Sequence, residues 1–375
     1  MTPLAMVDLQ TQYQEIEQEI QAGFQEVLQS CHFINGQVVK DFASDLADYL
    51  QVKKVIPCGN GTDALQIALM ALGLEPGDEV ITTPFTFVAT AEVIALLRLK
   101  PVFVDINPCT FMINEYQLEQ AITERTKCII PVHLFGQASN MEAIMTIAEK
   151  HNLFVVEDNA QAIGADYHFS DGRSQKLGTI GHIGCTSFFP SKNLGAFGDG
   201  GAIFTNDEEL AANIQMVVNH GMRKRYYHEV VGVNSRLDSL QAVVLKVKLK
   251  HLDEYNSRRR VAADYYTEKL SGVPGLTPPK KASYSSHIYH QYTLLIESGR
   301  DQVKDKLQAA GIPSGVYYPV PLHLQEAYSF MGYKKGDFPV SEAMAERVLS
   351  LPMHSELNPD IQDYIINHLL ESLHP

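Results

Sequence analysis

A lysine set in an apolar, glycine-rich stretch could serve as a nucleophile. Lys192 lies in Thr186-Ser187-Phe188-Phe189-Pro190-Ser191-Lys192-Asn193-Leu194-Gly195-Ala196-Phe197-Gly198-Asp199-Gly200-Gly201. Its neighbours Phe188, Phe189, Leu194 and Phe197 favour burial, and a desolvated ammonium loses proton affinity and becomes a usable amine. The glycines at 195, 198, 200 and 201 would permit tight turns around a bound ring. A second candidate is Asp158, at the end of the apolar run Phe154-Val155-Val156-Glu157. A buried strand there would carry the carboxylate to the sheet edge where open α/β folds bind ligands. Asp158 could pair with a cationic ring nitrogen, and Gln161 could donate to a phenolic oxygen; taken alone, Asp158 also suits a helix N-cap. The third is Gly59-Asn60-Gly61-Thr62-Asp63-Ala64, which follows an expected strand and opens an expected helix. Its glycines let backbone approach a ligand, and the helix start offers unpaired N–H groups to an anion, with the Thr62 hydroxyl beside them. A plain turn feeding a helix fits the same residues.

In chain order these form a phosphate cradle, a strand-end acid and a glycine-flanked amine. Pyridoxal phosphate needs this set: an anchor for its phosphate, an acid that keeps the ring nitrogen protonated, and a lysine that forms a Schiff base. Gly59, Gly61 and Ala64 also satisfy G-x-G-x-x-[GA], so a nicotinamide enzyme is the competing reading. That reading wants an acid ending the second strand, which here ends Thr82-Thr83-Pro84, with Asp78 and Glu79 before it. An S-x-x-K hydrolase motif is excluded because Phe189 stands where the serine would be. No metal site is expected; His287 and His290 have helical spacing but adjoin an expected strand.

Apolar runs alternate with helical patterns along the first two thirds of the chain. Strands are expected at Val55–Cys58, Glu79–Thr82, Pro101–Asp105, Cys128–His133, Phe154–Glu157, Cys185–Phe189 and Gly201–Thr205. Helices are expected at Leu9–Gln29, Thr62–Leu72, Ala89–Leu99, Glu115–Ile122 and Met141–Lys150. Runs of Val and Ile without polar alternation suit strands buried on both faces, and the βα alternation implies one large, mostly parallel sheet. Beyond residue 238 the pattern changes to a long helical stretch, Leu237–Lys269, then a strand (Tyr289–Ile296), a helix (Gln302–Ala310), a strand (Gly315–Tyr318) and a helix at Ile361–Leu373. These divide the chain into a large domain, 1–250, and a small α/β domain, 251–375.

The 375 residues carry 30 Lys and Arg against 44 Asp and Glu, a formal charge of −14. An acidic surface repels a phosphate backbone, so general nucleic-acid binding is not expected. Arg258, Arg259 and Arg260 read as a solvated face. The five cysteines are scattered, without C-x-x-C pairs, which suits reduced thiols and a cytoplasmic protein. No apolar run approaches the roughly 18 residues of a membrane span. Met1–Gln10 carries Asp8 and no basic-then-apolar order, so no signal peptide is expected.

Further segments join the three motifs: Phe33-Ile34-Asn35-Gly36, Glu157-Asp158-Asn159-Ala160-Gln161, Asn234-Ser235-Arg236-Leu237-Asp238 and Tyr318-Pro319-Val320-Pro321-Leu322-His323. In this order the sequence resembles, nearly end to end, the nucleotide-sugar aminotransferases of the DegT/DnrJ/EryC1/StrS family. The resemblance implies the aspartate aminotransferase-like fold (fold type I) and pyridoxal 5'-phosphate as cofactor. Family dehydratases carry histidine in place of the lysine, so Lys192 implies transamination. By the same resemblance Lys192 holds the cofactor and moves the proton, Asp158 pairs with the ring nitrogen, and Gln161 contacts the ring hydroxyl. Phe87 would stack on the ring, and Gly61, Thr62 and Ser187 would hold the phosphate. Asn234 would reach the phosphate of a partner subunit, making a homodimer with shared sites. L-glutamate would supply the amine and a nucleotide-linked keto sugar would receive it. Gly232-Val233-Asn234-Ser235-Arg236-Leu237-Asp238 is most similar to the subgroup that aminates the 3-keto carbon of UDP-2-acetamido-2-deoxy-3-oxo-glucuronate for surface polysaccharides such as O-antigen. Arg236 would clamp a carboxylate or pyrophosphate, the loop Arg223–Arg225 would meet the diphosphate, and Tyr317, Tyr318 and His323 would face the sugar. Tyr317 stands where relatives often carry histidine, which keeps a dTDP-linked 3- or 4-keto-6-deoxyhexose open as the alternative substrate.

Overall fold

The buried strands expected from the sequence assemble into one sheet, and the order of the elements shows how. The structure, a computed structural model, describes residues 4–373. Residues 1–3 of the segment read for a leader, and 374–375 of the expected small domain, lie outside the described residues. The first half runs α1 (Leu9–Ser30), α2 (Gln37–Leu50), β1 (Lys54–Cys58), α3 (Gly61–Ala71), β2 (Glu79–Thr82), α4 (Ala89–Leu96), β3 (Lys100–Phe103), α5 (Glu115–Leu118), β4 (Thr126–Ile129), α6 (Met141–His151) and β5 (Phe154–Asp158). A hairpin of β6 (Asp166–His168) and β7 (Ser174–Lys176) leads to β8 (Ile183–Ser187), β9 (Gly201–Thr205) and α7 (Glu208–Val217). A second hairpin, β10 (Met222–Lys224) and β11 (Tyr227–His228), precedes α8 (Ser239–Leu249) and α9 (Leu252–Leu270). The chain closes with β12 (Leu276–Thr277), β13 (Tyr292–Ile296), α10 (Arg300–Ala309), α11 (Pro339–Arg347), β14 (Val348–Leu351) and α12 (Pro359–Ser372).

The large sheet has the order β1-β9-β8-β5-β4-β2-β3. Its interior pairs are parallel, while β9 runs antiparallel to both β1 and β8. Alternate residues of a strand face opposite sides, so a strand covered on both faces must be apolar throughout. In β5, Val156 packs with α3 and α7 through Ala68 and Ile214, whereas Val155 packs with α6 through Ile144. On that second face, α2 and α8 cover the β9 end through Phe42, Leu46 and Leu245, which pack with Phe188 and Phe204. The cysteines Cys58, Cys128 and Cys185 are buried in the sheet, and burial pushes their thiol pKa values up.

The smaller sheet, β12-β13-β14, is antiparallel and packs with α9, α10 and α12 through Tyr266, Leu307 and Leu369. Phe85, Phe111 and Phe135 from the large-sheet side meet Met344 and Val348 from the other in a shared apolar cluster. The long stretch expected as one helix is two, α8 and α9, separated at Lys250 and His251. One packs on the large sheet and the other on the small, so the axis must change between them. Gly315–Tyr318 is not a strand: only Gly315 bridges, to Ser350, and the strand beside β13 is β14 instead.

Arg259 departs from the expected solvated face. Its neighbour Arg258 pairs with Glu254, Glu15 and Glu356, but Arg259 turns inward and is only 3% exposed. There Nη1 donates to the carbonyls of Tyr289 (3.2 Å), His290 (3.4 Å) and Met353 (3.0 Å), tying α9 to two loops at once. Burial lowers the Arg259 pKa to about 10, so the guanidinium remains charged at neutral pH. Replacing it strands three buried acceptors, whereas Arg258 sits in solvent-screened pairs. Arg259→Ala is expected to cost about 3 kcal/mol in chemical denaturation and Arg258→Ala less than about 1 kcal/mol. Equal losses from the two would contradict this assignment.

Candidate active site

Every strand bearing a candidate residue ends at one edge of the large sheet, as strand polarity in an open α/β fold requires. β5 delivers Asp158 there and β8 delivers Ser187, while the antiparallel β9 begins there at Gly201, in register with Ser187. The loop 188–200, with Lys192, is therefore held between two paired strands.

Asp158 is buried, and its oxygens are partly spoken for. Oδ1 accepts from the Ala160 N–H at 3.2 Å and Oδ2 from the Thr90 hydroxyl at 2.8 Å. Burial raises its pKa, opposed by these two donors and by the positive charge of Lys192. The side-chain amine of Lys192 makes no hydrogen bond or ion pair among the described residues. Burial lowers its pKa to about 8, with the Asp158 carboxylate pulling the other way. The amine is thus partly unprotonated near neutral pH, which is what a Schiff-base lysine needs.

The cradle forms from backbone approach. A Cβ on Gly61 would lie 2.6 Å from Ser187 Cβ, so only glycine lets the start of α3 close on the end of β8. Asn60 caps α3 by accepting from the Asp63 N–H at 2.8 Å, which leaves the N–H groups of Gly61 and Thr62 to point at a ligand. The glycines after Lys192 serve close approach, and none of the four has positive φ. A Cβ at Gly195 would strike the Pro190 carbonyl at 2.3 Å, and one at Gly201 the Asn60 carbonyl at 2.4 Å.

Gln161 accepts from the Phe135 N–H (2.6 Å) through Oε1 and donates to the Tyr318 hydroxyl (3.2 Å) through Nε2. Phe87 is 55% exposed, with its ring 6.2 Å from that of Tyr318, so it is a face over the cleft and not a core residue. Tyr317 packs over Gly315, where any side chain would collide with its ring. His323 is not open to a sugar: it is 2% exposed, and its Nε2 lies 3.0 Å from Glu342. Asn234 is exposed. The cations of Arg223, Lys224 and Arg225 are engaged locally, with Asn213 and Glu229, over Tyr227, and over Tyr226.

Several residues that position the site went unread in the sequence. The Ser235 hydroxyl accepts from the Gly59 N–H (2.8 Å) and donates to Asp63 (2.6 Å), which docks the segment of Asn234 and Arg236 on the cradle of its own chain. Glu157 accepts from the N–H groups of Gly178, Ile180 and Gly181 and bonds His133 Nε2 at 2.7 Å. Asn193, next to Lys192, donates to Asn256 of α9 at 2.7 Å and to the Ile288 carbonyl at 3.3 Å. The Thr86 to Thr90 spacing, i to i+4, was the available signal for Thr90; nothing in the local sequence marks Asn256.

The dinucleotide reading fails on geometry. Glu79 starts β2 at the opposite edge of the sheet, where Lys100 and Arg125 pair with it and Thr123 donates to it. A glycine-closed anion cradle, a buried carboxylate with lone pairs to spare and a deprotonatable amine on one sheet edge fit pyridoxal phosphate, and define an aminotransferase of that cofactor's fold type I. The chain belongs to the DegT/DnrJ/EryC1/StrS aminotransferase family, which it matches over residues 14–370. It is 48% identical to a pleiotropic regulatory protein of Geobacillus stearothermophilus, covering 98% of this chain and 97% of that one. It is 47% identical to the UDP-2-acetamido-2-deoxy-3-oxo-D-glucuronate aminotransferase of Pseudomonas aeruginosa (95% and 96% covered). It is 39% identical to the dTDP-3-amino-3,4,6-trideoxy-alpha-D-glucose transaminase of Streptomyces venezuelae (94% and 91% covered). The crystal structure of S. venezuelae DesV in complex with a ketimine intermediate superposes with a TM-score of 0.96 at 37% identity, each chain covered completely.

A lysine titrating near pH 8 separates from surface lysines, which titrate about two units higher. In the cofactor-free protein, Lys192 should reach half its maximal rate with a small amine-acylating reagent near pH 8, followed by peptide mass mapping. A profile still climbing above pH 10 would show that the amine is not desolvated.

Proposed function

We propose that this enzyme transfers the amino group of L-glutamate to the 3-keto carbon of a UDP-linked 2-acetamido-2-deoxy-3-oxo-glucuronate, in the cytoplasm, for a surface polysaccharide. The observation that carries the reading is the joint placement of Lys192 and Asp158 at one sheet edge beside the Gly61–Ser187 cradle. Bound there, the cofactor supplies an electron sink. Gly61, Thr62 and Ser187 would hold its phosphate, Asp158 its ring nitrogen and Gln161 its ring hydroxyl, with Phe87 over its face. Lys192, released from the cofactor, would move the proton between the two carbons that exchange the amine.

The uronate assignment is supported by the 47% identity to the P. aeruginosa enzyme and by Arg236, whose fork suits a carboxylate or pyrophosphate. The likeness to a dTDP-sugar transaminase keeps a dTDP-linked keto-deoxyhexose as the second reading. No helix of the described residues is long and apolar enough to cross a membrane.

The functional unit we propose is a homodimer in which Asn234 completes the partner's site. Asn234 is exposed, while Ser235 pins its segment to the cradle, so the side chain projects outward from a fixed base. Exposed Phe189, Tyr226 and Val231 supply apolar surface for such an interface.

Three measurements test this. Lys192→Ala should abolish the visible absorption of the holoenzyme and the transfer from glutamate. Parallel assays with UDP- and dTDP-keto sugars should show turnover of the uronate, and conversion of the dTDP substrate alone would refute that assignment. Mixing Lys192→Ala with Asn234→Ala protein should restore activity, because a mixed dimer holds one site with both residues intact. No recovery would argue against shared sites.

A further inference from the structure

Asp158 is reached by two donors, and one of them belongs to a chain of hydroxyls. The Thr90 Oγ1 lies 2.8 Å from Asp158 Oδ2, and the Thr86 Oγ1 lies 3.4 Å from Thr90 Oγ1. All three residues are buried: Thr90 is 0%, Thr86 2% and Asp158 6% exposed. A hydroxyl has one proton. An ionised carboxylate can only accept, so the Thr90 proton is committed to Asp158, and Thr86 must then be the donor to Thr90. The chain has a direction, from Thr86 through Thr90 to Oδ2. Phe87, in the same segment, lies over the cleft.

We infer that Thr90, oriented by Thr86, is a positioning residue that holds Asp158 in one rotamer and in its ionised form, and so sets how completely the cofactor's ring nitrogen is protonated. This rests on the reading of Asp158 as the partner of that nitrogen. The backbone donor at Ala160 fixes Oδ1 but leaves the carboxyl free to rock about it; Thr90 fixes the second oxygen. Hydrogen bonds to a charged acceptor are the strong ones, and inside a protein they weigh more than in water. The other titratable groups that face Asp158 are Lys192 from the loop after β8, His133 from the loop after β4, Cys185 within β8, and Tyr318. None of them donates a hydrogen bond to its carboxylate, so among the described residues only Thr90 and Ala160 do so.

The test uses the holoenzyme with Thr90→Val, Thr90→Ser and Thr86→Val. Thr90→Val keeps the branched shape and removes the donor. The Asp158 carboxyl then holds its proton more tightly and shares less charge with the ring nitrogen. With that ring less positive, the nitrogen joining Lys192 to the cofactor keeps its proton to higher pH. The visible band of Thr90→Val should therefore titrate about half a unit or more higher than wild type, and turnover per bound cofactor should fall about 10- to 100-fold with little change in KM. Thr90→Ser should restore both, and Thr86→Val should shift the band in the same direction by less. A Thr90→Val protein with lower thermal stability but an unmoved band and normal turnover per cofactor would overturn the inference. Should that variant fail to fold, an unmoved band in Thr86→Val overturns it instead. Asp158→Asn separates the two readings: if it leaves the band and turnover unchanged, the assignment of Asp158 itself fails. If Asp158→Asn is inactive while Thr90→Val matches wild type, only the role of Thr90 fails.

Discussion

Burial works against the charge of both groups on which the site depends. At Asp158 it favours the neutral acid, at Lys192 the neutral amine, and neither group has the other as a direct partner. A contact ion pair would hold both charges at neutral pH and leave an amine too basic to attack. Separation with residual Coulomb coupling leaves the Lys192 amine near the point where it can change state. The surrounding structure has to hold that separation.

The fold holds it with polar ties rather than with apolar packing alone. Glu157, the residue before Asp158, faces the other side of β5 and fastens the 178–181 turn and His133. Asn193, the residue after Lys192, reaches α9 through Asn256, and α9 in turn holds the loops at Tyr289 and Met353 through Arg259. Ser235 does the same for the cradle. Each functional residue thus has a sequence neighbour, or a near one in space, whose hydrogen bonds are all internal. Such bonds have strict geometry, which apolar contacts lack.

Much of this was legible from the chain. The apolar runs without alternation located the strands of the large sheet to within a few residues, because a strand covered on both faces has no other composition available. The α2 helix is not among the expected elements, although its buried Val39, Phe42, Leu46 and Leu50 carry the helical period. The break between α8 and α9 has no glycine or proline to mark it, and follows from which core each half joins. Residues whose type suits a ligand, such as Lys192, Asp158 and Gly61, stand out in sequence. Those that act by pairing across long separations, such as Asn193 with Asn256 or Thr90 with Asp158, are ordinary polar residues until the fold brings them together. His323 shows the converse: it belongs to a motif and yet lies buried against Glu342.

The register of β8 and β9 has a kinetic meaning. Ser187 pairs with Gly201, so the loop that carries Lys192 is pinned at both ends to the same sheet. An amine on such a loop is a reactant at constant local concentration. In the role proposed for Lys192, a carbonyl in the cleft would meet it without a search, and the amine would stay within reach to close the bond again. In that proposed role, the antiparallel reversal that interrupts an otherwise parallel array would keep the amine tethered beside its partner throughout the reaction.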